Sequence, residues 1–212
     1  KISFNSPQGI ASVRLMKKII DSGIAADIGW WTPEFFNSFK TGQVASYMQG
    51  VWLGAQIKEN APDTEGKWGV FPLPAVTAGG LRSAVNGGSN LAIPAKAENP
   101  DAAWKFIEFG LTKKESQLTM YKQYNIFPAL TTAYTDPIFT ETNSFFGGQN
   151  TSEAFINIQK EIPTTWYYAQ YYNDITNIIS TNIVNALNGS QTPEQALLAA
   201  EKQVNEFILG NK

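Results

Sequence analysis

The 212 residues contain no cysteine and no histidine. Those two absences remove disulfides, thiolate nucleophiles, Ser-His and Cys-His catalysis, and the usual ligands of zinc and haem. Only carboxylates, hydroxyls and lysines remain for chemistry, so no resident metal or cofactor is expected. Charge is also sparse. Charged residues make up 16% of the chain, against about 25% in an average soluble domain. Eighteen acidic residues against 16 basic ones leave a formal net charge of -2. Arg14 and Arg82 alone could offer the guanidinium fork that reads phosphate or guanine, which argues against nucleic acid as the main partner. Long apolar runs are missing too: none approaches the roughly 18 residues of a membrane span, and the opening Lys1-Ile2-Ser3-Phe4-Asn5 lacks a signal-peptide block. The lack of cysteine suits a secreted protein without excluding a cytosolic one.

What the chain has is rings. Six Trp, eight Tyr and 13 Phe sit within a 43% hydrophobic composition, enough for a real core in one or two domains. Start and stop signals divide it. Ser6-Pro7 and Gly23 bracket an amphipathic helix over residues 7–22, with Ile10, Val13, Leu15, Met16, Ile19 and Ile20 at helical spacing. Thr32-Pro33-Glu34 opens a short helix whose inner face is Phe35, Phe36 and Phe39, and Gly42 closes it. Residues 43–48 alternate like a strand, Gly50 breaks it, and 51–59 read as helix. Residues 68–73 and 91–93 read as short strands around a glycine-rich loop at 77–90. A helix is predicted from Asn99-Pro100-Asp101 through Phe109, and Thr112 with Glu115 forms a capping box for the next. Ile126-Phe127-Pro128 reads as an extended crossing, Asp136-Pro137 opens a brief helix, and another covers 152–160. From Tyr171, Ile175, Ile179, Ile183 and Leu187 form a stripe ended by Gly189. Thr192-Pro193-Glu194-Gln195 then caps a final helix with Leu197, Ala200, Val204, Phe207 and Ile208 inward. Short strands among helices in this order indicate an α/β class.

Three kinds of candidate site follow. Neither Gly79-Gly80 nor Gly87-Gly88 fits a dinucleotide or phosphate loop, so Gly87-Gly88 is either a plain turn or a close backbone approach to a ligand. Glu34, Glu59, Glu153, Glu161 and Asp174 could in principle supply a glycosidase pair, yet each falls on a helix face or loop where a solvated carboxylate is ordinary. The rings are more informative, because they cluster at element ends, where sites are built. Trp30-Trp31 precedes a helix cap, Trp52 follows Gly50, and Trp166-Tyr167-Tyr168 with Tyr171-Tyr172 leads into the long helix. Trp and Tyr pair a flat apolar face with a polar tip, which matches a sugar ring with C–H groups on one side and hydroxyls around its edge. Core packing is the competing role for about half of them.

The run from Phe39 through Gly42-Gln43-Val44-Ala45-Ser46-Tyr47-Met48-Gln49-Gly50-Val51-Trp52 resembles the F-x-x-G-x-x-A-M-x-x-G-x-W stretch of maltose-binding-like proteins, the extracellular solute-binding proteins of sugar ABC transporters. Ser46-Tyr47 stands where that pattern prefers Ala-Met. Trp68-Gly69-Val70-Phe71-Pro72, Asn86-Gly87-Gly88-Ser89-Asn90, Asn99-Pro100-Asp101-Ala102-Ala103-Trp104 and Gly189-Ser190-Gln191-Thr192-Pro193 are similar to later landmarks in the same order. The resemblance implies an incomplete, helix-rich, two-lobe fold of the type II periplasmic-binding-protein kind, mainly its C-terminal lobe. Residues 1–85 would form that lobe's first part, 86–127 the hinge crossing with helices given to the other lobe, and 128–212 the hinge return and the lobe's second part. What precedes Lys1 in such proteins, most of the first lobe, would be a further partner. The implied function is non-catalytic capture of a sugar or oligosaccharide, in the periplasm or on a lipoprotein anchor, and delivery to a permease. Trp52 matches the motif's ring and Asn86, Gly87 and Gly88 its hinge. Tyr171 and Tyr172 lie near an aromatic that precedes the last long helices, while Trp30, Trp31 and Trp166 rest on the ring argument. A polyamine, a peptide or a carboxylate-dependent glycoside hydrolase remains the alternative.

Overall fold

The computed structural model describes residues 2–85, 88–162 and 169–211. Among them run α1 (Pro7–Asp21), α2 (Pro33–Thr41), α3 (Trp52–Asn60), α4 (Pro100–Thr112), α5 (Lys114–Tyr124), α6 (Thr151–Gln159), α7 (Tyr172–Leu187) and α8 (Pro193–Gly210). They fall into two units, one of Lys1–Asp27 with Thr165–Lys212 and the other of Ile28–Thr164.

In the first unit α1, α7 and α8 pack on one another. Val13, Ala186, Ala196 and Leu197 form the core, with Ile10 and Ile183 at its edge. Small alanine faces let helix axes approach closely, which favours compact packing despite the modest side-chain volume. The caps form where the sequence put them. Ser6 Oγ accepts the Gly9 N–H at 3.1 Å, Thr192 Oγ1 accepts that of Gln195 at 3.2 Å, and Gln195 Oε1 accepts the Thr192 N–H at 2.9 Å. On α7 the predicted isoleucine stripe is half-buried, and the deepest positions are Asn182 and Ala186. Asn182 is tolerated there because its amide donates to Ile178 O and to Gln203 Oε1, both at 2.8 Å.

The second unit has an aromatic core. Phe35, Phe39, Leu53, Ile57, Ala61 and Phe145 are buried together, which joins α2 to α3. Thr32 Oγ1 caps α2 by accepting the Phe35 N–H, and Gly42 closes it in the left-handed conformation that glycine adopts without strain. A second ring group, Tyr121, Phe127, Tyr134 and Phe139, ties α5 to the 126–140 segment, with Tyr121 stacked on Phe139 at 4.8 Å. Asp136 caps a 3₁₀ turn at Pro137–Thr140 through the Ile138 N–H.

Two expectations fail here. The strands predicted at 43–48, 68–73 and 91–93 do not form; the one β-bridge among the described residues pairs Asn143 with Gln149. Their residues have the right composition, but a strand exists only when a neighbour completes its ladder. At Val70 that neighbour is a side chain. Gln149 Oε1 accepts the Val70 N–H and Gln149 Nε2 donates to Val70 O, both at 2.7 Å, so one amide makes both bonds of a β-bridge. The Thr112 capping box is also absent: Thr112 stays helical as the last residue of α4, its hydroxyl donates to Glu108 O at 2.7 Å, and Lys113 precedes α5 without a side-chain cap.

Candidate functional site

Trp30 and Trp31 stand on the loop that Thr32 and Pro33 turn into α2. Their rings meet at 4.9 Å, Trp31 stacks on buried Phe35 at 6.0 Å and meets Phe36 edge-on at 5.6 Å. Tyr47 joins from the extended segment, edge-on to Phe35 at 5.2 Å. Inner rings are buried and outer ones are not: Phe35 is 3% exposed, Trp30 61%, Trp31 40% and Tyr47 45%. Buried phenylalanines thus brace a row of solvent-facing rings. Trp31 holds φ at 62°, in the left-handed region that a bulky residue enters at a cost of about 1–3 kcal/mol.

Trp52 begins α3, whose Leu53 and Ile57 anchor it on Phe35 and Phe39. Its side chain remains 36% exposed. The inner edge of the indole lies against Gly50 so closely that a Cβ there would overlap ring atoms Cε3, Cζ3 and Cη2. The backbone beneath is held by three bonds. Gln49 Oε1 accepts the Gly50 N–H at 3.0 Å, Gly50 O accepts the Leu53 N–H at 3.2 Å, and Asn125 Nδ2 donates to Val51 O at 3.2 Å. Asn125 sits in left-handed conformation at the C-cap of α5.

Of the other predicted site residues, Gly88 is exposed in open space at φ 128°, a conformation left to glycine. Asn86, Gly87 and Trp166 lie outside the described residues. Tyr171 and Tyr172 belong to the first unit. Tyr171 is engaged within it: its ring meets Phe207 edge-on at 5.5 Å and its hydroxyl donates to Asn211 O at 2.9 Å. Tyr172 opens α7 partly exposed. Sequence reasoning missed Gln149 and Asn125. Asn125 carried a readable signal, an asparagine directly after a helix; Gln149 carried none, because its partner lies 79 positions away.

Electrostatics adds little near the rings. Burial pushes the Tyr134 phenol up from its usual range, a hydrogen bond with Gln159 opposing it. Among the described residues no three His, Cys, Asp or Glu gather to hold a metal, and no helix is long and apolar enough to cross a membrane.

Comparison with known proteins gives these rings a setting. An arabinooligosaccharide-binding protein of Halalkalibacterium halodurans is 29% identical over 81% of this chain and 39% of its own length. That of Bacillus subtilis is 22% identical over 97% of this chain and 49% of its own. A binding protein from B. animalis subsp. lactis, solved with β-1,6-galactobiose, superposes with a TM-score of 0.82 at 21% identity, over 97% of this chain and 52% of that one. The sugar-binding protein MalE of Xanthomonas citri gives 0.76 at 20%, over 99% and 51%. The chain spans about half the length of the relatives it matches. Its fold is therefore the helix-rich part of an α/β, two-lobed, type II periplasmic binding protein. The family described as bacterial extracellular solute-binding protein matches residues 1–147, from α1 through the braced rings and Trp52 to the Phe145 core, and this chain belongs to that family.

Proposed function

We propose that the protein carrying this chain binds a sugar or oligosaccharide outside the cytoplasm and delivers it to the permease of an ABC transporter, without catalysis. The observation that carries the reading is Trp52: an indole that lies against a glycine and stays partly exposed, at the first turn of a helix, is a stacking surface for a pyranose or furanose face. Trp30 and Trp31 extend the ring surface of the same unit. Asn86, Gly87, Gly88, Trp166, Tyr171 and Tyr172 are further residues proposed to contact ligand. The names of the relatives, arabinooligosaccharide-binding and lactose-binding among them, support a saccharide ligand.

The division into 1–85, 86–127 and 128–212 belongs to the same proposal. It is supported by α4, which has no buried residue and leaves Trp104, Phe106 and Phe109 exposed. A helix apolar on several sides is made to be covered, here by the remainder of the other lobe.

Calorimetry on the full-length protein with arabino-, malto- and galacto-oligosaccharides tests the reading. Saturable binding of at least one is expected, and Trp52→Ala should weaken it by about 2 kcal/mol, roughly 30-fold, with an unchanged denaturant midpoint. A stability loss of roughly 3–5 kcal/mol instead would make Trp52 a core residue and remove it from the site. Heat with a polyamine or peptide, and none with any saccharide, would overturn the sugar assignment.

A further inference from the structure

We propose that Gly50 is a positioning residue for the binding site: the missing side chain at Gly50 fixes the tilt of the Trp52 ring and so decides which face of the indole a ligand can reach. The inference rests on the reading of Trp52 as a stacking surface. Gly50 is not needed for its backbone, because its φ lies outside the left-handed range that the other turn glycines occupy. An alanine would meet no left-handed strain there. What an alanine could not do is share the space, since its Cβ would overlap Cε3, Cζ3 and Cη2 of the indole.

One of the two must then move, and the backbone is the less able. Its N–H is taken by Gln49 Oε1, its carbonyl by the Leu53 N–H, and the adjoining Val51 carbonyl by the Asn125 amide. Leu53, directly after Trp52, is anchored in the ring core. The indole, a partly exposed side chain, yields first. Stacking with a sugar depends on the plane of the ring, so a displaced ring costs affinity while the fold stands.

The test is Gly50→Ala in the full-length protein, alone and in a Trp52→Ala background, read by near-ultraviolet circular dichroism, oligosaccharide affinity and melting. Expected are a changed tryptophan dichroism band, an affinity loss of about tenfold or more and a preserved melt; in the Trp52→Ala background the same substitution should change neither signal further. If Gly50→Ala alone lowers the melt sharply, Gly50→Ala combined with Trp52→Phe decides. Recovery with the smaller ring supports the indole as the obstacle, and no recovery overturns the proposal. An unaltered dichroism band with wild-type affinity overturns it as well. If Trp52→Ala itself leaves binding intact, the stacking reading fails on its own, while the dichroism comparison still shows whether Gly50 sets the ring.

Discussion

The two units build cores from different materials. In the first, alanines, a valine and a leucine lie between three helices whose ends are tied by Ser6 and by the Thr192–Gln195 box. In the second, phenylalanines meet edge to face, and the extended stretches between helices are pinned by single side chains such as Gln149. The helical unit closes through small aliphatic side chains far apart in sequence, Val13 with Ala186 and Leu197, whereas much of the ring core joins near neighbours such as Phe35, Phe39 and Tyr47. The exposed rings Trp30, Trp31 and Trp52 belong with the second kind of construction: an exposed indole needs a rigid mount, and buried rings provide one without filling the surface.

The sharpest way to break that contrast is to remove a ring from the mount. Phe39 is 2% exposed and meets Phe35, Tyr47 and Trp68 at 4.9, 6.1 and 5.7 Å. Phe39→Ala should destabilise the protein by roughly 3–5 kcal/mol, because the surrounding rings cannot collapse into the space. Denaturant unfolding measures it. A loss below about 1 kcal/mol would show that the ring core tolerates repacking as loosely as a surface.

A smaller effect is expected at the side-chain bridge. Gln149→Leu keeps the volume but leaves Val70 N–H and O without the partners they hold at 2.7 Å. The cost should be about 1–3 kcal/mol, the desolvation penalty of orphaned polar groups. Hydrogen exchange at Val70 locates it: the amide should lose protection in the variant, while amides of α8 keep theirs. Equal protection in both proteins would mean that the 68–73 segment owes its path to something other than Gln149.

These two tests also mark the border of what a sequence pattern carries. Ser6, Thr32 and Thr192 were recognisable as caps because a cap's partner lies three residues downstream. The 68–73 run was read as a strand from its β-rich composition; what it lacked, a ladder partner, is supplied by one glutamine 79 residues later, which no local pattern announces. Thr112 shows the same limit at short range, since a threonine between two helices is able to end the first as readily as cap the second, and its hydroxyl chose Glu108. Position at an element end singled out Trp30, Trp31 and Trp52, and the structure leaves all three exposed. The same rule also picked Tyr171, whose ring and hydroxyl are engaged by Phe207 and Asn211 some 40 residues on. Gly50 read as a chain breaker, and only coordinates reveal the indole lying over it.

The smallest effect belongs to the first unit and concerns acid. Glu194 lies in the first turn of α8, and its carboxyl is held below the ordinary value of 4.5 first by its own backbone N–H, then by the Thr192 hydroxyl and by Arg14, with which it forms an ion pair. A carboxylate also suits the positive end of a helix dipole. Because the folded value is the lower one, the unfolded chain takes up the proton first as pH falls. The contribution of Glu194 is therefore complete above about pH 4.5 and is lost as pH drops through the depressed folded value. The pair is solvent-exposed, so salt and water screen it and the change should be slight. Glu194→Gln should flatten the acid side of the melting curve at low ionic strength, narrowing the difference between pH 6 and pH 3.5, and should leave the pH 6 to 8 region parallel to wild type. Added salt should bring the two proteins together. An acid limb identical in both at low salt would show that the start of α8 is held by the Thr192–Gln195 hydrogen bonds, with the charge of Glu194 contributing nothing measurable.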